Sequence, residues 1–299
     1  MIPVWLQAVV LGVVQGLSEF MPISSDGHLV LVPFLLGWEQ PSLSFIVALH
    51  IGTLAAVLLY FRRELAAMLA AVASRSSSSE ANLYRRLIVL LAIGSVPVAL
   101  LGFAAEERIQ RVFSSPAIAA AGLFVTAALL VAGEKARDRR VVSASAKCVA
   151  TPKATMSRAN MGRDDRDPTG GTLVGLTAPR ALLIGAFQSV ALLPGVSRSG
   201  STISGGMFAG LTREAATRFS FLLSIPALIG AAALNLTDLA RPGGYGTLEL
   251  LAGIAAAFGS GYAAIRWLVA LVARERLTGF AWYCLVAGLV GLLAVALRQ

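Results

Sequence analysis

Glu19, Ser25, Asp26 and His28 stand close together in a chain made mostly of Leu, Val, Ala, Ile and Phe, and far away Arg198 stands between Ser197 and Ser199. The first run reads Gln15-Gly-Leu-Ser-Glu19-Phe-Met-Pro22-Ile-Ser24-Ser25-Asp26-Gly27-His28. The second reads Pro194-Gly-Val-Ser197-Arg198-Ser199-Gly200-Ser201-Thr202. The second offers a fixed cation, hydroxyls and glycine-permitted backbone N–H groups at the start of an apolar run. Helix N-termini and backbone nests bind anions, and a guanidinium matches phosphate with two parallel bonds. A phosphate is its natural guest, with Ser24, Ser197, Ser199, Gly200 and Thr202 as candidate phosphate-binding groups. Gln15 and Glu19, four apart, share a helix face. Their amide and carboxylate oxygens suit Mg²⁺ or Ca²⁺ held jointly with substrate phosphates, with Asp26 as a further candidate ligand. Ser25, three residues before His28, supplies a hydroxyl near an imidazole near a carboxylate, the arrangement of an activated nucleophile. His28 itself as nucleophile or general acid stays open beside it. Together, a carboxylate-bound cation, an arginine and a hydroxyl form a phosphoryl-transfer site, provided the two runs meet.

The elements that must bring them together are apolar. The 299 residues are 57% hydrophobic and 14% charged, with mean hydropathy +0.76, against the roughly 25% charge usual in soluble domains. The pattern is that of an all-α polytopic membrane protein with six transmembrane helices: 44–61, 87–105, 116–133, 219–236, 250–272 and 280–297. It lacks the alternation of an outer-membrane barrel. A basic n-region after Met1 is missing, so no cleavable signal peptide is expected. Segments 4–36 and 181–211 are interrupted by the two polar runs, and each half is too short to span. Irregular backbone at membrane depth survives only when buried or facing water, so both read as re-entrant helix–loop–helix hairpins, with a proline-kinked helix as the alternative. An ionisable group at that depth marks function by default. His50, in an apolar run, reads instead as a packed, helix-bonded residue, and Cys148 and Cys284 read as structural.

The net charge of +9 follows the positive-inside rule rather than a nucleic-acid surface, because the basic residues lie in separate loops between apolar runs. Loops 62–86, 134–180 and 273–277 are then cytoplasmic and both termini outside. Hairpin plus three spans occurs twice with opposite entry sides, an inverted-topology repeat: 1–133 and 181–299, joined by a polar, flexible cytoplasmic linker at 134–180. Gly12-Val-Val-Gln15 is echoed by Gly185-Ala-Phe-Gln188. That repeat also suits a polyprenyl-phosphate or ion carrier, the rival to an enzyme.

At the two polar runs the chain resembles the undecaprenyl-pyrophosphate phosphatases, the bacitracin-resistance membrane proteins. Gln15, Glu19, Pro22, Ser24, Ser25, Gly27 and His28 match one family motif. Pro194, Gly195, Ser197, Arg198, Ser199, Gly200 and Thr202 match the other. The resemblance extends over most of the chain except 134–180. It implies hydrolysis of undecaprenyl diphosphate in the bacterial inner membrane, at a site open to the periplasm and dependent on a divalent cation. It implies catalytic roles for Glu19, Ser25, His28 and Arg198. It makes the lipid diphosphate and the bilayer the partners, with a homodimer as candidate assembly. Gln15 stands where many members carry Glu, and Asp26 where Ser or Thr is common.

Overall fold

The computed structural model describes residues 2–74, 78–150, 173–235 and 245–298. Among them it is all helix: α1 Val4–Phe20, α2 Ser25–Leu36, α3 Leu43–Tyr60, α4 Arg62–Ala73, α5 Ser79–Phe113, α6 Pro116–Ala150, α7 Ala178–Val190, α8 Arg198–Phe208, α9 Arg213–Leu234, α10 Thr247–Val272 and α11 Thr278–Leu297. Six of these are long and apolar enough to cross a membrane, in α3, α5, α6, α9, α10 and α11. They are the six expected from the apolar runs. Their outward side chains, such as Leu100, Phe103, Leu251, Trp282 and Leu289, are exposed and apolar, as a lipid-facing belt requires.

The two interrupted segments are helix pairs. At 1.5 Å per residue, α1 and α2 extend only about 25 and 18 Å, and α7 and α8 about 20 and 17 Å, short of a ~30 Å hydrocarbon core. The chain breaks where its chemistry forces it to. Pro22 pushes Met21 into extended backbone (φ −66°, ψ 144°), ending α1. Ser24 and Ser197 then cap α2 and α8, accepting from Gly27 N and Gly200 N respectively.

Each of the two helix pairs packs its first helix along a long span. α1 packs along α10, and α7 along α5. A Cβ on Gly12 would stand 2.3 Å from Gly253 O, and one on Gly185 would stand 2.2 Å from Gly94 O. Both contacts therefore require glycine, at the two positions that echo each other in sequence. α3 meets α9, and α6 meets α11, across the centre.

The stretch after 133 departs from expectation. α6 continues to Ala150, and Glu134 is no linker residue. It is 2% exposed, takes two 2.7 Å bonds from Arg213, and accepts from Leu277 N. Leu173 and Leu176 are buried, and Leu176 O accepts from Arg86. A helix-compatible sequence with a buried acid and its arginine partner overrides the polar composition at the linker's two ends. Residues 151–172, the middle of that linker, and the loop around Asp238 lie outside the described residues. The basic loop after α3 is also helical over α4, which buries Glu64 against Arg218 at 2.7 Å.

Candidate active site

The two capped turns meet. A Cβ on Gly27 would lie 3.0 Å from Gly195 Cα, and Ser199 Oγ donates to Met21 O at 2.9 Å. Two helix N-termini therefore converge, with the backbone N–H groups and positive dipole ends that favour an anion. The second turn is pinned by α6. Gly195 has φ +82°, which favours glycine, and its missing Cβ would sit 1.9 Å from Ala119 O. Thr126 Oγ1 donates to Gly195 O at 3.1 Å and accepts from Ser197 N at 2.8 Å. The first turn holds Ser24 at φ +71°, the only non-glycine residue with positive φ among those described. Such strain costs about 1–3 kcal/mol and persists where surroundings impose it.

Glu19 is the hub. Its Oε1 receives Arg198 Nη2 at 2.8 Å, an ion pair between residues far apart in the chain. Its Oε2 accepts from Ser25 Oγ at 2.6 Å and from Gln15 Nε2 at 3.1 Å. Arg198 Nη1 also donates to Ser220 O at 3.3 Å. All but Arg198 are nearly sealed: Gln15, Glu19 and Ser25 are 0%, 6% and 8% exposed. Such a buried charge pair stands because both members are bonded on several sides.

His28 is placed differently from the Ser25–His28 arrangement expected. Its Nδ1 lies 2.7 Å from Ser24 O, and its Nε2 lies 2.7 Å from the Tyr283 hydroxyl. The carbonyl can only accept, so Nδ1 carries the proton and Nε2 accepts from Tyr283. The two rings also stack, 5.6 Å between centroids. Both imidazole nitrogens are thus engaged away from Ser25, whose own proton points at Glu19. Three residues along a helical turn put His28 near Ser25 without pointing the two side chains at each other.

His50 keeps the helix bond expected of it, Nδ1 lying 2.8 Å from Ile46 O, and departs from expectation at its other nitrogen. It is not surrounded by apolar groups: its Nε2 lies 3.6 Å from Glu19 Oε2 and 3.8 Å from Asp26 Oδ1. An ionisable group in an apolar span is itself a signal for a functional position, and the apolar neighbours of His50 in sequence are not its only neighbours in space. Asp26 and His50 line a cavity of about 410 Å³ whose walls are otherwise mostly apolar, with Val30, Ile46, Val47 and Leu192 among them.

The expected phosphate-binding groups divide. Ser197 Oγ caps Gly200 N, and Ser199 Oγ bridges to the first turn, both at the junction. Ser24 caps its own helix there. Thr202 is fully buried, and its hydroxyl is taken up by Arg198 O and Ser220 Oγ, at 2.8 and 2.6 Å. It sits behind the arginine. Thr126 and Tyr283 lie outside the polar runs, on helices remote in sequence, whereas Ser220 lies on α9, the helix that follows α8.

The chain matches the family described as "Bacitracin resistance protein BacA" over residues 8–290. It is 40% identical over 296 residues to the undecaprenyl-diphosphatase of Desulfosudis oleivorans, covering 95% of this chain and 96% of that protein. It is likewise 40% identical over 307 residues to the undecaprenyl-diphosphatase of Mycobacterium avium, covering 98% of each. The undecaprenyl-diphosphatase of Geobacter sulfurreducens is 40% identical over 285 residues, with 95% of each chain covered.

Proposed function

The chain belongs to the bacitracin resistance protein BacA family, and we propose on that premise that it hydrolyses undecaprenyl diphosphate to undecaprenyl phosphate and inorganic phosphate. The activity recycles the lipid carrier of cell-wall synthesis and confers bacitracin resistance. The observation that carries its mechanism is one carboxylate shared by two remote groups: Glu19 bonds Arg198 through one oxygen and Ser25 Oγ through the other. A carrier needs an anion-binding arginine but no hydroxyl aimed at a carboxylate.

In this reading the diphosphate lies at the junction of the α2 and α8 N-termini. Arg198 has five N–H donors, so those left after Glu19 and Ser220 can bind the phosphates. The apolar cavity beside Asp26 takes the first isoprene units. Ser25 Oγ attacks the terminal phosphorus, and its proton passes to Glu19 Oε2. The bridging P–O bond breaks, and undecaprenyl phosphate leaves with that proton. Water then attacks the phosphoserine, one of its protons returns to Ser25 Oγ, and inorganic phosphate departs. Charge growing on the transferred group meets donors already in place, which is where electrostatic catalysis is strongest. His28, bonded to Ser24 O and Tyr283, braces the strained turn that presents Ser25.

A divalent cation, Mg²⁺ or Ca²⁺, belongs to this proposal. Gln15 Oε1 is buried with no hydrogen-bond partner. With the Glu19 and Asp26 carboxylates it makes a hard-oxygen donor set that fits such an ion shared with substrate phosphates. Among the described residues, no three His, Cys, Asp or Glu side chains could hold a metal ion by themselves, so Gln15 Oε1 and substrate oxygens would have to complete the ion's shell. When bound, it would neutralise diphosphate charge. The basic cytoplasmic loops support both hairpins as re-entrant, both halves as an inverted repeat, and the site as open to the periplasmic side of the inner membrane. The partners are the lipid diphosphate, the bilayer and, as candidate assembly, a second copy.

The test is phosphate release from undecaprenyl diphosphate in detergent, where no transport is possible, followed by acid quench and peptide mapping. Phosphate trapped on Ser25, and no turnover in Ser25→Ala, is the expected result. Phosphohistidine at His28, or Ser25→Ala working at the parent rate, would falsify the serine mechanism.

A further inference from the structure

Arg266 stands where an arginine needs an anion. It lies on α10 inside the membrane span Thr247–Val272, about 9 Å along the axis from the helix's end, and it is exposed. Among the described residues it makes no ion pair. A charged group exposed at that depth is costly unless it reaches the interface or finds a counter-ion. We propose that Arg266, Tyr262, Tyr60 and Arg218 form a site for the phosphate of an anionic phospholipid in the cytoplasmic leaflet. This does not rest on the diphosphatase reading.

Three helices bring the group together. Tyr262 and Arg266, four apart, share one face of α10. Tyr60, the last residue of α3, meets Tyr262 edge-on, with ring centroids 6.2 Å apart. Arg218, near the start of α9, and Arg266 both stand close enough to act electrostatically on the Tyr60 phenol, as does Glu64. α10 packs along α3, and α3 against α9. The α3–α10 seam is tight, since a Cβ on Gly52 would lie 2.5 Å from Ile254 O, so the group is presented by fixed backbone.

The charge does not balance within the group. Among the described residues Glu64 is the one carboxylate acting on Tyr60, and Arg218 takes it at 2.7 Å. Arg62 and Arg63, exposed just beyond Tyr60, add positive charge. A phosphate diester supplies the missing anion. The Arg266 guanidinium can hold it with two parallel bonds, and the phenol hydroxyls can donate to it. Arg218 keeps 28% of its side chain exposed, so it can contribute while paired. The end of α3, the start of α9 and the end of α10 border the basic loops, which places them on the cytoplasmic side. Trp267, exposed next to Arg266, is the amphipathic ring expected at headgroup level. Basic pockets between spans on that side hold anionic headgroups.

The experiment is native mass spectrometry of the delipidated full chain in detergent, titrated with phosphatidylglycerol, phosphatidylcholine or inorganic phosphate. The unsubstituted protein should retain phosphatidylglycerol in preference to phosphatidylcholine, and inorganic phosphate should not displace it. Arg266→Gln should weaken phosphatidylglycerol about fivefold or more, and Tyr262→Phe should weaken it less. Arg276→Gln removes an exposed arginine of the same cytoplasmic surface, paired with Asp138 at 3.0 Å, and should leave binding unchanged. Equal losses in Arg266→Gln and Arg276→Gln would show diffuse attraction to a basic surface and overturn the site. Parent-like binding in Arg266→Gln overturns it too, as does displacement of the lipid by inorganic phosphate. Equal retention of the two lipids by the unsubstituted protein overturns it without any variant.

Discussion

Arg198 bonds Glu19 through one terminal nitrogen and Ser220 O through the other. Its planar fork is therefore held at two points before substrate arrives, which leaves its remaining N–H groups aimed rather than mobile. Lysine keeps the charge but presents a compact ammonium that cannot serve both partners and a phosphate in one geometry. Arg198→Lys should lower kcat by on the order of a hundredfold with a smaller change in KM, because the lost contact strengthens as charge develops. Steady-state phosphate release in detergent measures both constants. Wild-type values for both would remove Arg198 from the site and return the carrier reading to the fore.

The α7–α8 turn shows how one element is fixed by another. Thr126 on α6 reaches across to Gly195 O and Ser197 N, so the arginine's own N-cap hangs on a hydroxyl from a different helix. Valine has nearly the same shape and neither hydrogen-bonding capacity. Thr126→Val should leave the spans inserted but let the turn shift, and small misplacements of a catalytic clamp are costly. We expect kcat to fall about tenfold while thermal stability in detergent drops modestly. A variant that loses no activity would mean that the tight fit of Gly195 against Ala119 O suffices to hold the turn.

For the molecule as a whole, helices before and after 151–172 meet in space, α3 against α9 and α6 against α11. Residues 151–172 are polar in composition, whereas Leu173, Leu176 and Glu134, at the two ends of the expected linker, are buried. Replacing 151–172 by an equally long Gly/Ser segment should keep hydrolysis within about twofold of the parent, because the length of the connection, and so the cost of closing it, is unchanged. Extending the replacement through Leu176 should destabilise the chain, since it also removes the buried Leu173 and Leu176 side chains. Lost hydrolysis in a well-folded 151–172 replacement would assign that segment a role of its own.

The spans and the breaks between helices are legible in the chain alone. Long apolar runs have one stable solution in a bilayer, and Pro22, Gly195 and the capping serines 24 and 197 act on their own neighbours, so local chemistry sufficed. It also named Glu19, Ser25 and Arg198, because polar residues amid apolar flanks must face a cavity or a partner. Only the tertiary structure decided which of them touch. Helical spacing placed His28 beside Ser25, yet the ring turns to Ser24 O and Tyr283. His50, in an apolar stretch, turns to Glu19 and Asp26. Composition made Glu134 a linker residue, and Arg213 made it part of the core. In each case the deciding partner comes from another part of the chain, and a side chain's direction is set by what packs against it rather than by its neighbours in sequence.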